Sequence, residues 1–153
     1  MREVEGKIQS SKYKFAIILS KFNEFIGTRL LNGAIECFKK YKFDDENIDI
    51  IMVPGAFEIP VVADKLAVSK KYNGIIALGA VIRGETPHFD YISEAVSSGI
   101  LNVSLKYGVP VIFGVLTTNT VEQALARSDS QKSNKGFDAA LTAIEMADLI
   151  TKL

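Results

Sequence analysis

The chain has a single cysteine and no excess of charge of either sign, and both shortages exclude classes of protein. Because Cys37 is the only cysteine, the chain can form neither an internal disulfide nor a zinc site built from cysteines. The 18 Lys and Arg residues balance the 18 Asp and Glu residues. This balance argues against a nucleic-acid-binding module, since such modules usually carry a basic excess, and it permits self-association.

Membrane segments and the common catalytic motifs are also missing. No apolar run approaches the length of a membrane span, and the N-terminus has no signal-peptide pattern, so we expect a cytoplasmic protein. The chain contains no GxxxxGKS/T, no GxGxxG after the first predicted strand and no GxSxG. His88 is the only histidine and has no carboxylate cluster at ligand spacing, so metal binding is not indicated. Cys37 has apolar neighbours at helical spacing, which is typical of a packed thiol.

What the chain does contain is a set of short apolar runs rich in β-forming residues. Most of them are nearly continuous in apolar character, as strands covered on both faces require. The run at 48–53 alternates at its start, which predicts a strand nearer an edge of the sheet. The four runs lie at 15–19, 48–53, 74–82 and 109–116.

Helical patterns separate these runs. Pro60 has to lie in the first turn of its helix, where proline is tolerated. The alternation predicts one domain over residues 1–153, with a parallel sheet covered by helices on both sides. A weak alternation at 4–8 is a further candidate strand that could pair with a neighbouring subunit, and the polar segment 127–136 is predicted as a loop. The five predicted helices are centred on 31–38, 59–66, 92–103, 121–125 and 137–147.

Residues whose side chains could take part in binding or catalysis follow each predicted strand. The carboxyl ends of parallel strands lie at one edge of the sheet, and open α/β sheets bind their ligands there. The sequence therefore predicts a site at that edge. Its candidate segments are 20–24, 54–58, 83–88 and 117–120.

His88 is the side chain at this edge that is best suited to proton transfer. It lies where a buried strand is predicted to end and a helix to begin, and histidine has the unperturbed pKa closest to neutral pH. The backbone N–H groups of Glu85 and Thr86 precede the same helix and are placed to bind an anion. Taken alone, His88 is also compatible with a surface or capping role, and Gly55 and Gly84 with simple turns.

Two aromatic and two basic residues leave similar alternatives open. Phe22 lies beyond an apolar run and is placed to stack on a flat ligand, whereas Phe113 fits a core position by its periodicity. Arg127 and Lys135 bracket the polar loop. They fit a solvated surface or a phosphate clamp, for which the paired donors of arginine are well suited.

Several segments, in the right order, resemble the lumazine synthase family (6,7-dimethyl-8-ribityllumazine synthases) over nearly the whole chain. Together they are far more specific than any one of them. The resemblance implies a flavodoxin-like three-layer α/β/α sandwich around a four-stranded parallel sheet, with an N-terminal segment able to add a strand to a neighbouring subunit. The segments are Lys21-Phe22-Asn23, Pro54 to Pro60 (PGAFEIP), Gly79 to Tyr91 (GAVIRGETPHFDY), Phe113 to Thr117 (FGVLT) and Asn134-Lys135-Gly136.

The resemblance also implies a reaction and a set of site residues. The family joins 5-amino-6-(D-ribitylamino)uracil to 3,4-dihydroxy-2-butanone 4-phosphate, with loss of phosphate and water, in the penultimate step of riboflavin biosynthesis. His88 would move protons, Glu85, Thr86 and Arg127 would bind the phosphate, and no metal or organic cofactor is implied. The uracil substrate would contact Phe22, Ala56, Phe57, Glu58, Ala80, Val81, Ile82, Lys135 and, from a neighbouring subunit, Phe113.

The family assembles as pentamers, and in some members twelve pentamers close into a hollow 60-subunit shell. The 127–136 loop has no obvious insertion of the kind found in pentamer-only members, which favours the shell, with riboflavin synthase as a candidate partner. Neither nucleic acid nor membrane is an expected partner. The chain departs from the family at one place, because Ser128-Asp129-Ser130-Gln131 stands where many relatives carry an Ala-Gly-Thr-Lys-type run. Asp129 thereby adds a negative charge close to Arg127.

Two other functions fit much of the same pattern. A flavin- or nucleotide-binding module of flavodoxin type would share the fold and the location of the site, but it gives His88 and Arg127 no role. A structural cage subunit without catalysis would explain assembly, but it does not explain the complete set of strand-end residues. Tight co-purification of flavin without turnover would favour the first function, and assembly without substrate binding would favour the second.

Overall fold

The computed structural model describes residues 1–153 and contains four strands and five α-helices. Strands and helices alternate from β1 to α4, and α5 then follows α4 directly. Two short 3₁₀ turns, at Asp45–Asn47 and Ala56–Glu58, flank the second strand. The elements are β1 (Phe15–Ser20), α1 (Glu24–Lys40), β2 (Ile48–Val53), α2 (Ile59–Val68), β3 (Gly74–Ile82), α3 (His88–Tyr107), β4 (Val111–Thr118), α4 (Val121–Arg127) and α5 (Lys135–Thr151).

The four strands form one parallel sheet in the order β2-β1-β3-β4. This confirms the predicted parallel sheet and the edge position of the 48–53 strand. The chain moves from β1 to one side for β2 and then to the other side for β3, so the strand order reverses between β1 and β3. A crevice opens at such a switch point, at the carboxyl ends of the strands.

Two helical layers cover the sheet, which confirms the three-layer α/β/α sandwich. Phe15, Ile17 and Leu19 of β1 belong to the core shared with α1 and α5. Ala16 and Ile18 point the other way, into the core shared with α2 and α3. Every residue of β1 is buried, because a central strand between two helical layers has no face open to solvent. This is the reason for its continuous apolar sequence.

Packing between α1 and α5 is unusually close and depends on a glycine. A Cβ at Gly136 would lie 1.9 Å from the backbone oxygen of Leu30, so any other residue would force the two helices apart. Asn134 caps α5 by accepting hydrogen bonds from the backbone N–H groups of Gly136 and Phe137, at 2.8 and 3.1 Å. The start of α5, and with it Lys135, is therefore fixed relative to α1.

Cys37 lies in the same α1–α5 core and is fully buried. Burial disfavours the charged thiolate and raises the pKa of Cys37 to about 12. The structure therefore confirms a packed thiol and not an activated nucleophile.

Residues 1–14 form no strand within the protomer. They run along α5, where Asp148 accepts hydrogen bonds from the backbone N–H of Lys7 (2.7 Å) and from the hydroxyl of Tyr13 (3.2 Å). Lys152 pairs with the same carboxylate at 2.5 Å. The predicted addition of this segment to a neighbouring sheet stays a prediction.

The boundaries differ from the predictions in physically understandable ways. β4 covers Val111–Thr118 and not 109–116, since Pro110 has no N–H to donate to a ladder, although its carbonyl accepts from Ile75 at 2.9 Å. Pro60 lies in the first turn of α2, as predicted. None of the helices combines the length and apolar character that crossing a membrane requires.

Candidate active site

A cavity of about 510 Å³ lies at the switch point, at the carboxyl ends of β1, β2 and β3. Its volume is in the range of small-molecule sites in proteins. Three separate segments of the chain supply its walls, which the strand-end pattern predicts. The lining residues are Ser20, Phe22, Gly55, Ala56, Phe57, Glu58, Ala80, Val81, Ile82, Gly84, Thr86, His88, Phe89 and Ile92.

Phe22 is held in the cavity wall by the turn that follows β1. Its backbone N–H donates to the carbonyl of Pro54 at 3.1 Å, which continues the β1–β2 ladder. Asn23 adopts a left-handed conformation with φ of 58°, one that asparagine tolerates better than most residues. The Asn23 side-chain amide donates to the carbonyl of Ala80 at 2.8 Å and ties the turn to β3. The backbone of Phe22 is therefore held in position while 71% of the residue stays exposed.

The turn after β2 supplies the second wall. Ala56–Glu58 form one 3₁₀ turn that leads directly into α2, and it buries Ala56 while leaving Phe57 61% exposed. A Cβ at Gly55 would lie 3.0 Å from the Glu58 carboxylate, so glycine allows that carboxylate to fold back over the turn. The wall thus offers an open aromatic ring, backbone groups and one carboxylate.

The end of β3 and the start of α3 supply the third wall. Ala80, Val81 and Ile82 line the cavity, and His88 follows as the first residue of the 20-residue α3. The N-terminal amides of a helix attract anions, and here no side chain caps them. Thr86 and His88 line the cavity, whereas Glu85 is exposed and its side chain lies outside the lining. The structure thus places Glu85 beside the cavity lining and not in it.

Besides Glu85, three predicted site residues lie outside the cavity lining. Phe113, Arg127 and Lys135 line a separate groove of about 540 Å³ along β4, α4 and α5. No residue lines both the groove and the cavity. Because β4 is an edge strand, Phe113 is 47% exposed. The structure thus brings most of the predicted site together at the switch point and keeps these three residues apart from it within one protomer.

A partly buried polar network holds the backbone beside the two basic residues of the groove. Arg29 of α1 donates from Nε to the carbonyl of Ser128 (3.0 Å) and from Nη2 to the carbonyl of Leu125 (3.2 Å), next to Arg127. Asn134 donates to the carbonyl of Arg29 at 3.0 Å, next to Lys135. The Arg127 guanidinium itself donates to the Gln123 carbonyl at 3.0 Å. Sequence reasoning missed Arg29, because nothing in its local spacing distinguishes it from an ordinary surface arginine.

Asp129, the departure from the family pattern, is turned into the loop. Its carboxylate accepts a hydrogen bond from the backbone N–H of Gln131 at 2.8 Å. Its backbone N–H donates to the carbonyl of Ser133 at 2.9 Å, across the loop. Asp129 lines a small polar cavity that does not include Arg127. Its charge is therefore partly satisfied locally, and the carboxylate serves to hold the 128–134 loop.

The cavity contains no obvious metal site. No group of three or more His, Cys, Asp and Glu side chains has an arrangement that could hold a metal ion. What the cavity offers is two exposed aromatic rings, a helix N-terminus, one carboxylate and one histidine. These groups can stack on a planar ring, bind an anion and transfer a proton. Five lining residues were not among the predicted site residues, namely Ser20, Gly55, Gly84, Phe89 and Ile92.

The fold and the site together define a class, the flavodoxin-like α/β proteins that bind a small molecule at the switch point of a parallel sheet. Comparison with known proteins narrows the class to one family. The family model described as 6,7-dimethyl-8-ribityllumazine synthase matches residues 12–151. Two proteins named 6,7-dimethyl-8-ribityllumazine synthase, both from Clostridium kluyveri, are each 53% identical over 153 residues, covering 100% of this chain and 99% of theirs. The chain belongs to the 6,7-dimethyl-8-ribityllumazine synthase family.

Proposed function

We propose that this chain is a transferase of riboflavin biosynthesis that makes 6,7-dimethyl-8-ribityllumazine. The substrates are 5-amino-6-(D-ribitylamino)uracil and 3,4-dihydroxy-2-butanone 4-phosphate, and phosphate and water leave as the second ring closes. Family membership supports the reaction. The observation that carries the assignment of residues is the convergence of three separate segments on one cavity at the switch point.

The pyrimidine substrate occupies the cavity between the two exposed rings. Phe22 stacks on the pyrimidine ring, since its ring is open to solvent and its backbone is held by β2 and β3. Backbone groups of Ala56 and Phe57, together with the Glu58 carboxylate, hold the ribityl chain. Ala80, Val81 and Ile82 form the floor from the end of β3.

The phosphate of the second substrate binds at the N-terminus of α3. Two features support this assignment. The amides of Glu85 and Thr86 precede a long helix, and no side chain caps the N-terminus of that helix. Unpaired N–H groups and the positive end of the helix dipole favour an anion there. This position also brings the butanone carbon chain close to His88.

His88 moves protons during imine formation, phosphate elimination and ring closure. It lines the same cavity as the pyrimidine-binding residues and is exposed to it. A group that both accepts and donates protons contributes about 10²- to 10⁴-fold in rate. Holding the two reactants together contributes more, about 7–11 kcal/mol of the barrier.

A neighbouring subunit completes the site with Phe113, Arg127 and Lys135. The observation that supports this is their separation from the cavity within one protomer, on an edge strand and the two helices beside it. Phe113 would cover the pyrimidine, Lys135 would approach its carbonyl, and Arg127 would clamp the phosphate. We also propose assembly into pentamers, with twelve pentamers in a shell that can house riboflavin synthase, because the resemblance to the family implies it.

The direct test is a mass-resolved assay of product formation. Purified protein is mixed with both substrates in the presence of a chelator and without added cofactor, and native mass spectrometry records the assembly. We expect product well above the uncatalysed background and an assembly of five subunits or a multiple of five. A folded assembly that forms no product would overturn the proposal in favour of a cage subunit. Bound flavin without turnover would favour a binding module.

A further inference from the structure

Arg83 occupies a distinctive position between the anion-binding loop and two other elements. It follows β3 directly, and its backbone N–H donates to the carbonyl of Thr118 at 2.9 Å. Its side chain does not line the cavity, although Ile82 and Gly84 on either side of it do. Arg83 therefore lies behind the wall of the site and not in it.

The guanidinium of Arg83 is paired on several sides. Nε donates to the side-chain oxygen of Asn119 at 3.0 Å. Nη1 and Nη2 approach the two carboxylate oxygens of Asp90, at 3.4 and 3.3 Å. The guanidinium carbon also lies 4.4 Å from the centroid of the Phe89 ring, within the range of a cation–π contact. One side chain thus joins the loop after β4 to the first turn of α3.

The loop that this clamp spans has little else to hold it. Nothing lies within 4 Å of the position that a Cβ would take at Gly84, so packing does not fix the backbone there. Residues 83–88 are all exposed, and the N-terminus of α3 has no side-chain cap. The same short loop carries the amides of Glu85 and Thr86 and leads into His88.

We propose that Arg83 is a positioning residue which, through Asp90, Phe89 and Asn119, holds the 84–87 loop in the conformation that binds the substrate phosphate. This inference rests on the proposed function. The paired charge and the absence of Arg83 from the cavity lining argue that it acts through these neighbours and not as a phosphate ligand. A fork that contacts a carboxylate with two nitrogens and an amide with a third cannot be reproduced by lysine.

The test uses four variants of the full-length assembly: Arg83→Lys, Arg83→Met, Asp90→Asn and the double variant Arg83→Met/Asp90→Asn. For each single variant we expect the KM for the butanone phosphate and the inhibition constant of inorganic phosphate to rise about 3- to 10-fold. The KM for the pyrimidine should stay within about twofold, because its contacts lie on other walls. The KM for the butanone phosphate should be no higher in the double variant than in Arg83→Met alone, since each of the two changes breaks the same Arg83–Asp90 contact.

Lys106→Met is the matched control. Lys106 pairs with Asp64 at 3.6 Å on the exposed surface, at the far end of α3, so its removal should leave both KM values unchanged. Circular dichroism and native mass spectrometry verify that each variant folds and assembles.

Three outcomes would overturn the inference. Wild-type phosphate affinity in Arg83→Lys would mean that phosphate binding depends on the positive charge at position 83 and not on the several contacts that the guanidinium makes. Tighter phosphate binding in Asp90→Asn would mean that a freed Arg83 contacts the phosphate directly. Equal changes in the KM of both substrates would indicate a general structural role. Failure of the proposed function itself is recognised separately, because the wild-type protein would then form no product.

Discussion

The cavity at the switch point and the groove along β4 have similar volumes, about 510 and 540 Å³, but they differ in how they are built. Three strand ends and two turns enclose the cavity, and its walls are tied together by backbone hydrogen bonds and by Asn23. The groove is bounded on one side by an edge strand, which leaves Phe113 half-exposed. The walls of the cavity all come from one protomer, whereas the groove stays open along the edge strand.

This difference determines which functional groups the cavity and the groove each contain within one protomer. The cavity contains the only histidine, a helix N-terminus without a side-chain cap and two exposed aromatic rings, so it has the elements of a site. The groove contains two cations and an aromatic ring on a rigid support, but no group that transfers a proton. An edge strand presents unpaired backbone groups to which another chain can pair. Under the proposed function, the cavity of one copy and the groove of a neighbouring copy would together form one site.

The largest expected effect comes from removing the proton-transfer group of the cavity. His88→Ala should lower kcat by about 10²- to 10⁴-fold, the usual contribution of general acid–base catalysis, without abolishing turnover, because the positioning of the two substrates remains. Steady-state kinetics, with substrate binding followed by calorimetry, measures both quantities. Complete loss of activity in a folded variant that still binds substrate, or no loss at all, would contradict this role.

A smaller effect is expected in the groove. Arg127→Ala should lower kcat/KM by about 10- to 100-fold, the equivalent of one or two hydrogen bonds to a charged group. Most of the loss should appear in the KM for the butanone phosphate. Glu122→Gln, on the same helix but outside the groove lining, is the matched control and should keep wild-type kinetics.

Mixing these two variants tests whether the cavity and the groove of one site belong to different protomers. Co-assembled His88→Ala and Arg127→Ala subunits should recover about a quarter of wild-type activity, because one interface in four pairs an intact cavity with an intact groove. Separate assemblies mixed without subunit exchange serve as the control. No recovery in verified mixed assemblies would mean that both residues act within one protomer.

Most of the fold could be predicted from the sequence because each layer leaves its own pattern. The buried strands are continuously apolar, and the helices repeat their apolar residues at helical spacing. The ends were harder to place. α1 begins at Glu24, well before its first predicted apolar position at Leu31, and its first turn already buries Ile26 and Gly27.

The site was predictable only in part, for a physical reason. Residues 56–58 follow β2 and residues 80–82 end β3. The carboxyl ends of parallel strands lie at one edge of the sheet, so chain order and parallel topology bring the two segments together. Asn23 and Arg29 act through contacts with residues far along the chain, 57 and 99 positions away. Their roles exist only in the folded protein. The separation of Phe113, Arg127 and Lys135 from the cavity likewise depends on β4 being the edge strand.

The smallest effect concerns α5, which the groove shares with the N-terminal segment. The first turns of α5 line the groove, and its last turns hold residues 1–14 through Asp148. Hydrogen bonding from Lys152, the backbone of Lys7 and Tyr13 lowers the pKa of Asp148 below its usual value of 3.8. A carboxyl group whose pKa is lower in the folded than in the unfolded state stabilises the fold at pH values above its unfolded-state pKa. This stabilisation is lost as the pH falls through the folded-state pKa.

Asp148→Asn should therefore lower the melting temperature modestly at pH 7, and the gap to the wild type should shrink as the pH falls below about 4. Hydrogen exchange should show faster exchange in residues 1–14 only, while the cavity segments 55–58 and 80–88 keep their protection. Asp138→Asn, at the exposed start of α5, controls for the loss of one charge. Faster exchange of the cavity segments in Asp148→Asn would show that the cavity and α5 are coupled within the protomer. The cavity and the groove could then no longer be treated as two independent regions.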